Sequence, residues 1–257
     1  MFVATTWEME AVRAGFPAGA ERRIEGTSVL VCPAGSREYW IVRTGMGLEN
    51  AKQAAARVLA QQPFCLAVST GFACALIAVD VGALLAGCDV ALARGQGTDV
   101  SPMIAVPGVE RDVVVDLVER VEPSGHIGRF VSTEYVITSA AEKRRFAQAT
   151  SAIGLDMESA ALAVEAQRAQ VPFVVVRAVS DLVDEDLPLD FNLFLRPTGW
   201  LKGLAAIVGR PSSITGLRRL HRQSRAAAKN LTAFFRRYAA EMSTGDACGN
   251  SPVDIRL

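Results

Sequence analysis

Two carboxylates, Glu158 and Asp181, occupy positions from which they could act together on a ligand. Glu158 stands at the start of an alanine-rich helical segment that runs to about Ala169. Asp181 follows a continuous apolar run, Phe173–Val179, which is typical of a strand buried on both faces. Ligands bind beyond the carboxyl ends of strands in open α/β sheets, so we predict that both side chains reach one pocket.

A carboxyl group at the end of an apolar strand is suited to general-acid chemistry. Surroundings of low polarity raise the pKa of such a group, so that it still holds a proton near neutral pH. Asp181 fits that description. Both carboxylates also have structural interpretations, because Ser180 and Asp181 are common N-cap or turn residues and a glutamate such as Glu158 is favourable at a helix N-terminus.

The elements around this stretch alternate between strands and helices. Short apolar strands, such as Phe2–Thr5 and Leu66–Thr70, alternate with helical segments such as Glu49–Gln61 and Val109–Val121. This alternation predicts an α/β fold of three αβα layers, with a central mixed β-sheet and helices on both faces. A glycine loop, Thr44–Gly47, separates a predicted strand from the helix that follows it.

The composition favours one globular protein with reduced thiols. The chain has 257 residues, half of them apolar, and its 27 basic and 27 acidic side chains give no overall signal for nucleic-acid binding. The five cysteines are odd in number and lack CxxC spacing, which predicts buried thiols in a cytoplasmic protein. The N-terminus has no basic region and no long uncharged helical span occurs, so we predict neither a signal peptide nor a transmembrane helix.

The charge balance differs between the two parts of the chain. Residues 1–186 carry 16 basic and 23 acidic side chains, whereas residues 187–257 carry 11 basic and 4 acidic ones. Most of the latter basic residues lie in a long predicted helix, Ile214–Tyr238, which has an apolar face and no acid. Such a helix suits anionic lipid headgroups, and it could equally pack on the domain with its arginines paired to the excess acids. Nucleic-acid binding by this helix has no other support.

Four motifs occur in order along the first part of the chain: Thr44–Gly47, Ser69–Gly71, Asp156–Ala161 and Val176–Asp181. Together they resemble the nucleoside phosphorylase/nucleosidase family, which includes methylthioadenosine/S-adenosylhomocysteine nucleosidase and the bacterial purine and uridine phosphorylases. Each motif alone is weakly specific, whereas all four on a matching αβ pattern are strongly specific. The resemblance therefore predicts a nucleoside phosphorylase-like catalytic domain over residues 1–195.

The resemblance implies cleavage of a purine N-glycosidic bond, in which the leaving purine needs a proton at N7. Asp181 matches the family's catalytic acid, and Ser180 would help to hold it. Glu158 matches the ribose ligand, since a carboxylate can accept hydrogen bonds from both the 2′- and 3′-hydroxyls. Met157 would lie against the sugar, and ordinary core filling is its alternative role.

The nucleophile remains open between water and phosphate. Glu10 aligns with the glutamate that activates water in the nucleosidases, which makes it a catalytic candidate. The candidate phosphate-binding residues are Arg43, Gly45 and Gly71, although Arg43 could also form a surface pair. The family usually has Ser or Thr after this last glycine, whereas this chain has Phe72 at the substrate position, without a side-chain donor. That departure also motivates a second hypothesis, a catalytically degenerate protein that binds a nucleoside or a lipid.

The base and 5′ positions complete the predicted site. Tyr135 and Val136 follow a strand where the family contacts the purine, and Tyr135 could stack on it. Met46 matches a position near the 5′ substituent, where an apolar residue suits a hydrophobic group. The C-terminal extension and the L-x-L-x-F stretch at 187–191 are similar to the hopanoid-associated phosphorylases, which implies release of adenine from adenosylhopane. A methylthioadenosine, S-adenosylhomocysteine or futalosine-type nucleosidase is the alternative.

The remaining predictions concern the rest of the chain and its partners. Residues 196–242 should form a helical extension packed on the catalytic domain or on membrane, and residues 243–257 a disordered tail. The acidic run Asp184–Asp186 is interpreted as a solvated loop, so we predict no metal and no cofactor, with phosphate as an alternative co-substrate. The expected substrate is a small or lipid-linked nucleoside. By resemblance we expect a homo-oligomer that is cytoplasmic or peripheral at the inner membrane surface.

Overall fold

The computed structural model describes residues 1–95, 100–104, 109–120, 125–188 and 211–244, and within these ranges twelve strands form one mixed sheet. The strands are β1 (Phe2–Val3), β2 (Ala20–Ile24), β3 (Thr27–Ala34), β4 (Arg37–Arg43), β5 (Ala67–Ala75), β6 (Leu84–Gly87), β7 (Asp89–Ala93), β8 (Val100–Ile104), β9 (Gly125–Ile127), β10 (Arg129–Thr133), β11 (Ala152–Asp156) and β12 (Phe173–Asp181). The described helices are α1 (Thr6–Arg13), α2 (Leu48–Leu59), α3 (Val109–Glu119), α4 (Ala140–Thr150), α5 (Ser159–Arg168) and α6 (Pro211–Thr244).

The sheet is organised around β5, which has parallel partners on both sides. β1 and β12 run parallel to it, and β12 stays beside it from Phe173, opposite Ala67, to Asp181, opposite Cys74. The end of β5 turns to pair antiparallel with β11 through Cys74 and Ala75. The strand order is β2-β3-β4-β1-β5-β11-β10-β7-β8, with β12, β6 and β9 branching from β5. The carboxyl ends of β4, β1, β5 and β12 consequently lie side by side, where ligands bind in sheets of this kind.

Helices cover both faces of the sheet. On one face α2 and α5 pack alanines and leucines against the strands, and on the other face α1, α3 and α6 do so. β12 contributes valines to both cores, with Val175 and Val179 on the first face and Val174 and Val176 on the second. These side chains are fully buried, which explains the continuous apolar run in the sequence. The arrangement confirms the predicted three-layer αβα fold with a mixed sheet.

Two strands show where apolar patterning is a weak guide. β2 has the sequence AERRI and lies mostly exposed at the sheet edge, and only its antiparallel pairing with β3 makes it a strand. β5 continues through Gly71 to Ala75, beyond the predicted end at Thr70, because β12 and β11 supply hydrogen-bond partners along that length. In both cases neighbouring strands, rather than the local residue pattern, determine the extent of the element.

The C-terminal helix α6 packs its apolar face on the domain body. Thr232 Oγ1 donates to the Ala11 carbonyl of α1 at 2.7 Å, and Asn230 Nδ2 donates to the Gly82 carbonyl at 2.9 Å. The buried apolar residues of α6 are Ala227, Leu231, Phe234, Phe235, Tyr238, Ala239 and Met242. None of the described helices has the length and apolar character needed to cross a membrane. Positions 189–210, which include most of the L-x-L-x-F stretch, and the predicted tail from 245 onward lie outside the described residues.

Candidate active site

The carboxyl ends of the central strands surround one buried cation, Arg177 of β12, which is 2% exposed. Its Nη2 atom lies 3.1 Å from Asp156 Oδ2 and 3.5 Å from Glu158 Oε2, and its Nη1 atom lies 3.8 Å from Glu8 Oε1. Nη2 also donates to Ser69 Oγ at 3.0 Å. Burial on its own lowers the pKa of Arg177, but the three carboxylates together raise it above its ordinary value. We refer to Arg177 and these three carboxylates as the carboxylate cluster.

Asp156 fixes the start of α5 and thereby the position of Glu158. Its Oδ1 atom accepts the backbone N–H groups of Glu158 and Ser159 at 3.2 and 3.1 Å. The same oxygen accepts the Ser132 hydroxyl at 2.6 Å, and the Ser159 hydroxyl donates to Oδ2. A carboxylate is favourable here because free N–H groups and the helix dipole both attract negative charge. These bonds hold the turn that leads into α5, which indicates a positioning role for Asp156.

Glu158 contacts the glycine loop through its Oε1 atom, which accepts the N–H of Gly47 at 2.8 Å. Gly47 has a φ of 90°, a conformation that residues with side chains rarely adopt. Burial raises the pKa of Glu158 to about 7; Arg177 opposes this rise, and Asp156 adds to it. The charge of this carboxyl therefore changes near neutral pH.

Glu8 of α1 completes the cluster. Its Oε2 atom accepts the N–H groups of Ala4 and Thr5 at 3.1 and 2.8 Å, and the Thr5 hydroxyl at 2.9 Å. Thr5 Oγ1 accepts the Glu8 N–H in return, which forms a capping box at the start of α1. The Oε1 atom accepts the N–H of Phe72 at 2.8 Å. Glu8 is 4% exposed, so two elements hold this carboxylate inside the cluster.

The structure differs from the sequence prediction at this glutamate. Glu10, the predicted catalytic candidate, is exposed on α1, whereas Glu8 is buried in the cluster. Two positions along an α-helix correspond to about 200° of rotation, so the two glutamates face in opposite directions. The signal that identifies Glu8 is its T-x-x-E spacing from Thr5, because a capping box fixes the direction of the glutamate side chain.

Gly71 and Phe72 bring the backbone of β5 against the cluster. Gly71 has a φ of 139°, and a Cβ at this position would collide with the Glu8 carboxyl. The Phe72 carbonyl accepts a hydrogen bond from Arg177 Nη1 at 3.2 Å. The Phe72 ring packs instead with the core on the α1 and α6 side, edge-on to Trp7 with ring centroids 5.8 Å apart. The phenylalanine thus contributes its backbone to the cluster, which weakens the case for a degenerate binding protein.

Asp181 stands at the end of β12 and contacts a fully buried lysine, Lys143 of α4. Lys143 Nζ lies 2.9 Å from Oδ1 and 2.9 Å from Oδ2 of the carboxylate. It also donates to the carbonyl oxygens of Leu182 and Glu185 at 3.1 and 2.6 Å, so its donors are all used. Burial raises the pKa of Asp181, and the positive charge of Lys143 opposes that rise. Asp181 and Glu158 share no hydrogen-bond partner within the described ranges.

Lys143 is a site residue that sequence reasoning missed. The segment AAEKRRFAQAT reads as a charged surface helix, and no motif singles out its lysine. Its position relative to Ala140, Phe146 and Thr150 is the available signal. Those residues are buried, and their spacing of three and four places Lys143 on the same helix face.

The other predicted substrate residues lie around these groups with fewer polar contacts. Ser180, Val136 and Met157 are half-buried. The Tyr135 hydroxyl donates to Glu142 Oε1 at 2.7 Å. Burial is the larger cause, and that hydrogen bond the second, of a rise in the pKa of Tyr135 to about 12. The side chain therefore remains a neutral phenol, which is suited to stacking.

The three residues predicted to bind phosphate are divided between two places. Arg43 is exposed, and its Nη1 atom donates to a threonine hydroxyl of α1 at 2.8 Å. Arg43 and Gly45 line a cleft of about 540 Å³ with two other arginines. Gly71 lies instead against Glu8 in the carboxylate cluster. The structure therefore does not bring the three together as one anion site.

A second cleft, of about 650 Å³, opens between α2 and α5 beside the glycine loop. Met46 is 48% exposed and reaches this cleft. The apolar residues that line it are Met46, Leu48, Leu92, Met157, Ala160, Ala161 and Val164. Charged side chains line the rest of the cleft: Glu49, Lys52, Arg94, Glu134, Glu165 and Arg168. Its apolar part lies beside the glycine loop, where the sequence predicts a hydrophobic 5′ substituent.

The acidic run Asp184–Asp186 fastens its loop to α4. Arg144 Nη1 donates to Asp184 Oδ1 at 2.7 Å, and the Ala140 N–H donates to Asp186 Oδ1 at 2.7 Å. Across the part of the chain that the structure describes, no three or more His, Cys, Asp and Glu side chains are grouped to hold a metal ion.

Comparison with known protein families identifies the superfamily of this chain. The family described as "Phosphorylase superfamily" matches residues 2–196. The chain belongs to the phosphorylase superfamily. This result confirms the family predicted from the four motifs. The chain is also 30% identical over 173 residues to the 5′-methylthioadenosine/S-adenosylhomocysteine nucleosidase of Staphylococcus aureus. The matched region covers 62% of this chain and 75% of that protein.

Three solved structures share the fold at low sequence identity. The S-adenosylhomocysteine nucleosidase of Streptococcus pyogenes has a TM-score of 0.66 at 16% identity, covering 92% of this chain and 94% of that one. The 5′-methylthioadenosine/S-adenosylhomocysteine nucleosidase of Helicobacter pylori has a TM-score of 0.71 at 13% identity, covering 93% and 96%. The futalosine hydrolase of Helicobacter pylori has a TM-score of 0.67 at 14% identity, covering 94% and 96%.

The Glu158→Gln substitution should stabilise the protein above neutral pH. Folding raises the pKa of this carboxyl from 4.5 to about 7, so the native state binds the proton more tightly than the unfolded chain. The stability that this group contributes is therefore lost as the pH rises through that interval. The amide carries no charge and can still accept the Gly47 N–H. We expect a gain on the order of 2–3 kcal/mol at about pH 8 and little change at about pH 4.

Urea unfolding of the variant and the parent at both pH values measures this effect. Glu49→Gln serves as the control, because Glu49 is an exposed glutamate at the start of α2. An equal change in the free energy of unfolding at both pH values, or a loss at the higher one, would contradict the prediction.

Proposed function

We propose that the protein hydrolyses the N-glycosidic bond of an adenine nucleoside. The observation that carries the proposal is the carboxylate cluster, which joins Glu8 and Glu158 beside the strand that ends in Asp181. The names of the similar nucleosidases support an adenine nucleoside as the substrate class. Homo-oligomer formation stays a prediction from family resemblance.

Asp181 is the proposed general acid. It donates its proton to N7 of the purine as the C1′–N9 bond breaks, so that adenine leaves as a neutral base. Burial raises the pKa of this carboxyl, which favours the protonated form that the step needs. Lys143, in contact with both oxygens, limits that rise and orients the group.

Glu158 is the proposed sugar anchor. As a carboxylate it accepts hydrogen bonds from the 2′- and 3′-hydroxyls, and its negative charge stabilises the positive charge that develops on the ribose ring. Its N-cap position, fixed by Asp156, and its bond to the Gly47 N–H restrict its direction. Because its pKa is about 7, substrate binding should strengthen as the pH rises through neutrality.

Water is the favoured nucleophile, for two reasons. Phosphate at the carboxylate cluster would need uncommitted cations and N–H donors, whereas Arg177 already faces three carboxylates and the Phe72 N–H already donates to Glu8. The arginines around Arg43 line a separate cleft. Glu8 can instead take a proton from a water molecule while the water oxygen bonds to C1′. The products are adenine and a sugar with a free 1′-hydroxyl. This assignment favours Glu8 over Glu10 as the base.

The apolar side chains in one part of the cleft beside the glycine loop support a hydrophobic 5′ substituent. Met46 and Met157 are flexible side chains that adapt to apolar groups of different shapes. Adenosylhopane is the large hydrophobic substrate that the resemblance implies, and its 5′ chain would contact these apolar side chains. A methylthio group is the smaller alternative, which the names of the relatives favour.

The length of the 5′ chain should control the rate. Adenosine carrying a 5′-hexylthio group should show a kcat/KM at least about tenfold above that of 5′-methylthioadenosine, because each buried methylene contributes about 0.8 kcal/mol. Adenine release measures both values. The Met46→Glu variant should lose most of the difference while keeping methylthioadenosine turnover. A kcat/KM that falls with chain length would reject the hydrophobic substrate and favour the methylthioadenosine alternative.

The Glu8→Gln substitution should lower kcat about 100- to 1,000-fold, since it removes the general base but preserves the shape of the side chain. Glu10→Gln is the matched control on the same helix, and its kcat should stay within about twofold of the parent because it is exposed. Steady-state adenine release from both variants provides the measurement. A large loss in Glu10→Gln with a normal rate in Glu8→Gln would reverse the assignment.

Lys143→Met should move the basic limb of the pH–kcat profile to higher pH. Asp181 must be protonated to act, so the rate falls as the pH rises through its pKa. Removing the positive charge of Lys143 lets burial raise that pKa further. Lys143→Arg should restore the position of the limb, and Arg144→Met, at the exposed neighbour, should not move it. A lower rate with an unmoved limb would show that Lys143 is only structural.

A further inference from the structure

A row of cations lies on the face of α6 that points away from the domain. Arg218, Arg222, Arg225, Lys229 and Arg236 recur at spacings of three, four and seven residues, and all five are exposed. At about 100° per residue they fall within about 60° of one another, opposite the buried apolar residues of the helix. The row extends about 27 Å along the helix axis. We call these five residues the basic stripe.

No described acid neutralises the stripe. The α6 sequence contains no aspartate or glutamate before Glu241. Among the ion pairs of the described residues, within 4.0 Å, none involves a stripe residue. Arg219, which lies off the stripe, is half-buried, contacts Glu185 and donates to the Asp186 carbonyl at 3.1 Å. Pairing with the excess acids of the domain therefore accounts for the position of Arg219, but it does not account for the five cations of the stripe.

An exposed aromatic residue borders the stripe on the side of the catalytic site. His221 of α6 stacks on Trp7 with ring centroids 5.3 Å apart and planes at 29°. Trp7 is 36% exposed, and its indole is a side chain that favours the interface between water and lipid. Trp7 precedes Glu8 in α1 and contacts Phe72, so the stripe, the indole and the carboxylate cluster are neighbours.

We propose that the basic stripe docks the protein on an anionic bilayer. A flat, negatively charged surface can contact all the cations of a straight row together, and each arginine or lysine near such a surface adds attraction. The apolar face of α6 is already buried in the domain, so the helix lies on the headgroups and does not insert. Trp7 adds a second, apolar contact, which stable peripheral binding generally needs. Nucleic acid fits less well, because the protein has no net charge and the stripe adjoins an indole that favours the lipid interface.

Docking in this orientation places the site beside the lipid headgroups. A nucleoside held in the bilayer by a hydrophobic 5′ substituent could then present its base and ribose without leaving the membrane. This consequence rests on the proposed function, whereas the docking itself does not depend on any catalytic residue.

Vesicle sedimentation tests the docking without a turnover measurement. The probe is vesicles of phosphatidylglycerol and phosphatidylcholine in equal parts, compared with phosphatidylcholine alone, at low and high salt. The parent should bind only the anionic vesicles, and salt should release it. The triple variant Arg218→Gln/Arg222→Gln/Arg225→Gln should bind about 100-fold more weakly. The matched control, Arg22→Gln/Arg144→Gln/Arg145→Gln, changes the net charge equally at exposed positions outside α6 and should bind like the parent.

Each other outcome would overturn the proposal. Equal weakening in both triple variants would show that net charge, and not the stripe, controls binding. Failure of the parent to bind anionic vesicles at low salt would exclude the docking surface. Tighter, stripe-dependent binding to duplex DNA than to the vesicles would assign the stripe to nucleic acid. Thermal unfolding midpoints of both variants confirm that the domain remains folded.

Discussion

The site depends on one buried guanidinium, that of Arg177. A cation without water needs carboxylates close by, and the chain supplies three of them from two separate segments. Asp156 lies 3.1 Å away and accepts two N–H groups at the start of α5. Glu158 is the N-cap of that helix, and Glu8 comes from the first helix. The ion pairs of Arg177 thus stabilise the contact between segments that parallel strand pairing has already placed side by side. Removing this cation would leave three carboxylates buried together.

The same arrangement limits stability. Three carboxylates face one cation. Burial is the main reason why the pKa of Glu158 rises to about 7, which means that ionising this group destabilises the folded protein. Asp181 has a different environment, because Lys143 donates hydrogen bonds to it and to two carbonyl groups of the loop that follows. The Glu158 carboxyl therefore ionises near neutral pH, whereas the positive charge of Lys143 limits the rise in the pKa of Asp181. Such a separation suits the acid and anchor roles that we propose for the two groups.

The sequence predicts the fold and part of the site, for identifiable reasons. The valine run before Asp181 and the alanine-rich helix after Glu158 are local signals, and both indicate their elements correctly. The choice between Glu8 and Glu10 depends on helix phase, which a resemblance aligned to within two residues does not define. Lys143 lies 38 residues from Asp181 along the chain, so only tertiary structure reveals their contact. The ring of Phe72 is another case, since its direction depends on the pleat of β5 and the position of α6.

The central claim is that this cluster directs water, and not phosphate, to the anomeric carbon. The most direct test is to run the reaction in ¹⁸O-labelled water with excess inorganic phosphate and to analyse the sugar product by mass spectrometry. The account predicts a free sugar that carries the label at its 1′-hydroxyl, with adenine released at the same rate when phosphate is omitted. An unlabelled sugar 1-phosphate, formed only when phosphate is present, would contradict it and would require an anion site that the carboxylate cluster does not supply.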